Sequence, residues 1–330
     1  MRISLFSILD AYAEHRTGGR DRYRELLDLA AAGETAGLDA LWVAEHHFQP
    51  GGICPAPPVL LAAAGARTRR IRLGCMVSVL PFHAPLELAE SYALLDRLLG
   101  GRLNLGVGSG YIPMEFEGFG LDPEAKRERF DSALAFLLAA FRGDEVVAAP
   151  GRSTPVRLNV LPVQAPHPPL WIAVQRSEAV PFVARRGMNL ALVPYATLGS
   201  PEELRPLIDA YRRDLPAGVP GTVSAALHVY VGPQLDAARA ALQRFLDSRR
   251  ATQSTFYLRK VEADPRHASA EHLEAAGLAA LGPPDAVRPV LERYRAAGVD
   301  ELLAIVDFGG LAPYRVAESV TALGALGAGP

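Results

Sequence analysis

Trp42-Val43-Ala44-Glu45-His46-His47-Phe48 sets a carboxylate and two imidazoles directly after an apolar run. Histidine moves protons near neutral pH and can place positive charge against a developing anion. A neighbouring carboxylate can orient the ring and tune its pKa. The same pattern also describes two surface histidines that follow a strand. A metal site is a third reading, because glutamate and histidine are both ligands. Adjacent residues on a strand point to opposite faces, however, so Glu45, His46 and His47 cannot converge on one ion without a bend. No second histidine cluster is evident, and no metal is expected.

These residues must be delivered by a scaffold, and the chain supplies one. Arg2 to Leu9 reads as a strand with Ile3, Leu5 and Ile8 buried. A helix from about Arg20 to Gly37 carries Leu26, Leu29, Ala30 and Gly33 on one face, the spacing of an amphipathic helix. Ala40 to Ala44, Ile71 to Leu80 and Leu103 to Val107 are further strands. Pro57 and Pro58 sit where a helix can start. Leu88, Tyr92, Leu95 and Leu99 mark another helix, stopped by Gly100-Gly101, and Phe130 to Phe141 a fourth. The strands begin near residues 3, 40, 71 and 102, at intervals of 37, 31 and 31, about one βα unit each.

The rhythm breaks at Asp144 to Pro169, a proline-rich surface excursion with a small hairpin, and resumes at Leu170 to Val174, Leu190 to Val193, Val223 to Val231 and Glu301 to Phe308. Repeated βα units close into a barrel or a doubly wound sheet. Eight strands are the count of a (β/α)8 TIM barrel, whose active sites lie at the C-terminal ends of the strands. Ala251 to Ala280 shows no clear strand and reads as an insertion before a helix at Asp285 to Ala297, placed as a mobile lid would be. The whole of residues 1–330 is read as one domain.

Of 330 residues, 49% are hydrophobic, and 34 basic residues against 36 acidic give a net charge of −2. That balance argues against a nucleic-acid binder. Cys54 and Cys75 are too few for a disulfide framework. The N-terminus lacks the apolar region of a signal peptide, and no run of about 18 apolar residues indicates a membrane span. A cytoplasmic enzyme is expected.

The ordered set of motifs is more specific than any one of them. "WVAEHHF" is followed by Pro81-Phe82-His83-Ala84-Pro85, then Leu95-Asp96-Arg97 leading to Gly100-Gly101-Arg102. Gly106, Gly108, Gly110, Glu115, Phe116, Phe119 and Gly120 come next, and a proline-rich segment precedes "PLWIAV". Over residues 1 to about 190 this series resembles the bacterial luciferase-like flavin monooxygenases.

The resemblance implies a luciferase-like barrel that binds reduced FMN at its C-terminal face and uses O2 to oxidise a small organic substrate through a peroxyflavin. A separate flavin reductase would supply the reduced cofactor, and the enzyme would be a homodimer. His46 matches the family's active-site histidine and Glu45 the carboxylate beside it, which would hold the ring or raise its pKa. Met76 and Val77 match the pair joined by a non-prolyl cis peptide against the flavin. Gly108 and Ser109 follow on the next strand. The phosphate would lie at Gln175, Arg176 and Ser177, with Arg127 matching a phosphate-binding arginine; Arg127 also reads as an exposed helix residue. Phe6, Phe48, Tyr111, Phe116 and Tyr195 are candidates for an apolar substrate pocket. Gly108 stands where some relatives have a reactive cysteine, Ser109 where luciferase has an arginine, and Ala179 where serine or threonine is common. These departures leave open the deazaflavin F420, used by relatives for hydride transfer. A non-catalytic flavin-binding protein is a third reading, because a barrel can retain a ligand after losing its reaction. Light emission is not expected.

Overall fold

The computed structural model describes residues 1–12, 21–49, 51–147, 154–251 and 255–327. Nine parallel strands run through it: β1 (Arg2–Ser7), β2 (Ala40–Val43), β3 (Arg72–Val79), β4 (Leu103–Gly108), β5 (Leu170–Val174), β6 (Asn189–Leu192), β7 (Val223–Val231), β8 (Ala279–Gly282) and β9 (Glu301–Ile305). β1 to β7 pair in chain order. β9 then lies between β7 and β1, with Ile3 opposite Leu302. Eight strands therefore close a (β/α)8 barrel, and the doubly wound alternative is excluded. The strands are nearly continuous buried runs, β7 being buried at every position, because helices cover the outside and side chains fill the inside.

Local chemistry sets the covering helices. Asp21 caps helix Arg22–Thr35 by accepting from the amides of Tyr23 and Arg24, which satisfies two of the helix's free donors. Helices Pro57–Arg67 and Pro85–Leu98 both start on proline, whose fixed φ suits a first turn. Gly100 and Gly101, both at positive φ, reverse the chain after the second of these.

The barrel floor is polar and fully paired. Glu301 is buried and accepts from Ser4 Oγ at 2.6 Å, Trp42 Nε1 at 3.1 Å and Ser224 Oγ at 3.2 Å. Trp171 Nε1 donates to Ser224 at 2.9 Å, and the Trp42 and Trp171 rings meet edge to face at 4.9 Å. A Cβ on Gly74 would come within 2.5 Å of the Trp42 ring, so glycine there makes room for the indole. The first-to-last seam is tied at its other end, where Asp307 accepts from Ser7 Oγ at 2.5 Å and Arg22 at 2.8 Å.

The excursion after the fourth covering helix contains an antiparallel bridge, Val146 to Val156; residues 148–153 lie outside the described ones. The segment read as lacking a strand holds helices Thr255–Ala263 and Ala270–Ala276, and β8 begins inside it. Ala-Ala-Leu-Gly has no β-branched residue to announce a strand. It forms because β7 outruns the barrel and offers His228 to Val231 as an edge. Gln253 and Ser254, expected in a lid, lie outside the described residues. Among the described residues no helix is long and apolar enough to cross a membrane.

Replacing Glu301 by Leu leaves three buried donors without an acceptor, each costing about 1–3 kcal/mol. Urea unfolding should show a loss of about 3 kcal/mol or more, and Glu301→Gln a smaller one. An unchanged midpoint for Glu301→Leu contradicts a load on the floor network.

Candidate active site

Above this floor a cavity of about 350 Å³ opens toward the C-terminal ends of the strands, within the usual size range of a small-molecule site. Its walls are mostly apolar, including Phe6, Ile8, Ile172, Ala226 and Leu303. Glu45, His46, Met76, Val77, Gly108, Ser109, Arg127, Gln175 and Arg176 all line it. Ser177 does not; it lines a second, adjoining cavity that shares Gln175 and Arg176.

The two carboxylates sort the histidines differently from the sequence expectation. Glu45 does not hold His46. Its Oε1 lies 3.0 Å from His47 Nε2 and 2.7 Å from His83 Nε2, and its Oε2 accepts from Ser78 Oγ at 3.1 Å and the Val79 amide at 3.2 Å. Burial pushes this carboxyl upward, but the hydrogen bonds and charge of His47 and His83 outweigh it and hold the pKa at about 2. An ionised carboxylate only accepts, so both Nε2 atoms must carry hydrogen. His46 Nδ1 instead meets Glu115 Oε1 at 2.9 Å, and the same oxygen accepts the His47 amide at 3.0 Å. The cause is the alternation of side chains along extended backbone: Glu45 and His47 share one side and His46 takes the other.

His83 and Glu115 are the positioning groups the residue reading did not single out, though both stand inside the quoted motifs. They lie 38 and 69 positions from their partners, so only the closed barrel brings them in. Gly52 packs on His46, where a Cβ would come within 2.5 Å of the ring.

The Met76–Val77 peptide is cis, as the resemblance implies. The pairing of β3 with β4 skips between Cys75 and Ser78, and two glycines of β4 leave room there. A Cβ on Gly106 would stand 2.6 Å from the Cys75 carbonyl oxygen, and one on Gly108 2.6 Å from Val77 Cγ2. Any side chain at position 108 would therefore have to displace Val77.

The wall also carries positive charge. Lys126, Arg127, Arg176 and Arg249 line the cavity. Arg127 lines the cavity while it pairs with Asp131 at 2.9 Å on the helix surface and stacks on Phe182 at 3.9 Å. Gln175 Oε1 is buried with no hydrogen-bond partner. Arg249, from helix Leu235–Ala251, is buried and donates to the Gly51 carbonyl; nothing in the sequence pointed to it. Among the expected aromatic residues Phe6, Tyr111 and Tyr195 line the cavity. Phe116 packs against Phe82 in the core at 4.9 Å, and Phe48 is 61% exposed on the surface.

The sequence profile of the luciferase-like monooxygenase family matches residues 1–301. The 4-hydroxyprotoasukamycin monooxygenase of Streptomyces nodosus subsp. asukaensis is 39% identical over 50% of this chain and 43% of its own. The oxygenase component of flavin-dependent trigonelline monooxygenase from Acinetobacter baylyi is 28% identical over 59% of this chain and 54% of its own. The chain thus spans about half the length of the curated relatives it matches. The crystal structure of monooxygenase RslO1 from Streptomyces bottropensis superposes with a TM-score of 0.83 at 26% identity, covering 98% of both chains. The chain belongs to the luciferase-like monooxygenase family.

Glu45→Gln should cost about 3 kcal/mol or more near neutral pH, since it breaks a buried ionic cluster. A depressed folded-state pKa stabilises above the unfolded value and the benefit is lost as pH falls. The deficit of the variant should therefore shrink as pH drops below 4.5 toward about 2. Stability measured in urea across that range checks it, and a deficit independent of pH contradicts it.

Proposed function

We propose that this luciferase-like family member is the oxygenating component of a flavin-dependent monooxygenase, taking reduced FMN from a separate reductase and oxidising a small organic substrate with O2. The observation that carries the reading is the His46–Glu115 pair set into an apolar cavity beside the Met76–Val77 peptide. The cavity suits a flavin on its own evidence. Gly106 and Gly108 let the fourth strand pack closely against that peptide, where a Cβ would strike Cys75 or Val77, and Gly108 lines the cavity. Gln175, whose side-chain amide can donate, and Lys126, Arg127 and Arg176 line the cavity and suit an anionic group. The printed names of the relatives, a flavin-dependent oxygenase component among them, support the same class.

In this reading Met76, Val77, Gly108 and Ser109 hold the ring, while Arg127, Gln175, Arg176 and Ser177 hold the phosphate end. When bound, the reduced flavin supplies the electrons and the place at which O2 is activated. The chain does the rest. Glu115, as a carboxylate, takes the Nδ1 hydrogen of His46 and leaves Nε2 to give or take a proton in the cavity. Glu45 keeps His47 and His83 engaged elsewhere. Phe6, Ile8 and Leu303 exclude water.

The exposed apolar residues Val59, Leu94 and Leu98 lie on the neighbouring helices Pro57–Arg67 and Pro85–Leu98, and we assign them to a homodimer contact. Light scattering that reports only monomer at micromolar concentration contradicts it. The two cysteines are free and buried, which suits a cytoplasmic enzyme. The segment from residue 255 to β8 is assigned to a lid over one barrel domain.

Reduced FMN should bind and support oxygen-dependent turnover. In His46→Ala oxygenation should fall at least about a hundredfold at saturating flavin while the FMN dissociation constant stays nearly constant. Binding of F420 with hydride transfer and no oxygen uptake would make the chain an F420-dependent oxidoreductase instead. Binding without turnover would leave it a flavin carrier.

A further inference from the structure

A second histidine pair lies outside the barrel, where the sequence reading saw none. Asp264 precedes the 3₁₀ turn Pro265–Ala268, which carries His267, and His272 stands in the first turn of helix Ala270–Ala276. Asp264 caps the turn through the Arg266 amide at 3.1 Å, and Ser269 caps the helix through the His272 amide at 3.3 Å. These two caps fold the chain back on itself. The imidazole rings stand 5.1 Å apart, and one ligand atom from each of Asp264, His267 and His272 lies within 4.8 Å of the others.

The orientation of His267 gives the cluster its chemistry. The residue is buried, and its Nε2 lies 3.0 Å from the Leu198 carbonyl oxygen. A carbonyl only accepts, so Nε2 carries hydrogen. Nδ1 is thereby directed at Asp264, 3.5 Å from Oδ2. In the neutral ring that atom presents its lone pair to a carboxylate, with a second imidazole alongside. A ring N–H anchored on a backbone carbonyl is also how metal-binding histidines are normally held.

We propose that Asp264, His267 and His272 form a binding site for one divalent ion of the zinc class. Two imidazole nitrogens and one carboxylate oxygen are the donors such an ion prefers, and three protein ligands leave coordination open to water. Arg266 now occupies both Asp264 oxygens at 2.9 Å. Its side chain is 74% exposed and swings into water as the ion enters, so it tempers the affinity. The site also has a reach. Leu198 follows the helix Pro194–Thr197, whose Tyr195 and Ala196 line the active cavity. An ion at His267 would fasten the segment bearing the cluster to that wall. This assignment does not depend on the flavin reading.

The test is zinc titration by calorimetry on the tag-free full chain, with cobalt absorption as a second readout. One ion per chain is expected. His272→Ala and Asp264→Asn, which spare the buried His267, should each weaken binding about tenfold or more and abolish the visible cobalt bands, with circular dichroism unchanged. Arg266→Ala should bind more tightly. Unaltered affinity in both ligand variants overturns the assignment. So does binding that disappears in His83→Ala instead, which would put the ion in the barrel, or a wild-type chain that takes up no zinc.

Discussion

The site is organised by one buried anion, the carboxylate of Glu45. Burying a charge is tolerated only when it is paired and hydrogen-bonded, and Glu45 meets that demand with four donors. They come from the segment just after β2 (His47), the end of β3 (Ser78 and Val79) and the turn beyond it (His83). Each must be in place for the anion to stay ionised, so the carboxylate fixes the relative position of these strand ends. Alternation along the backbone then turns His46 to the other side, where Glu115 arrives from the short helix Pro113–Gly118 after β4. Two carboxylates thus divide three histidines, and only His46 is left facing the cavity.

Close packing in the barrel also depends on side chains that are missing. Gly74, Gly106 and Gly108 lack the Cβ atoms that would strike Trp42, the Cys75 carbonyl and Val77. The floor of Trp42, Trp171, Ser224 and Glu301 closes the barrel below. The acidic groups Glu45 and Glu115 and the cationic residues Lys126, Arg127 and Arg176 line the same cavity.

Much of the fold was legible in the sequence because two-sided burial writes strands as largely apolar runs, as in β3 and β7, and proline or paired glycines mark where helices start and stop. β8 was not legible, since Ala279 to Gly282 is a strand only by virtue of the edge that β7 presents. At the site, His46, Met76, Val77, Gly108 and Arg176 could be placed on the cavity from their motifs. The partnership of Glu45 was misread because proximity in sequence was taken for contact, when neighbours on extended backbone diverge. Glu115, His83 and Arg249 reach the site from distant segments, and no local pattern reports such meetings. The same holds for Asp264, His267 and His272, whose approach depends on two capping interactions in a turn.

The division of the histidines is the claim on which the rest turns, and the tautomeric state of each ring reports it. Nitrogen-15 NMR of imidazole-labelled protein, assigned by single histidine replacements, measures this near neutral pH. Hydrogen is expected on Nε2 of His47 and His83 and on Nδ1 of His46. A His46 ring without hydrogen on Nδ1, or a His47 or His83 that lacks it on Nε2, would contradict the arrangement.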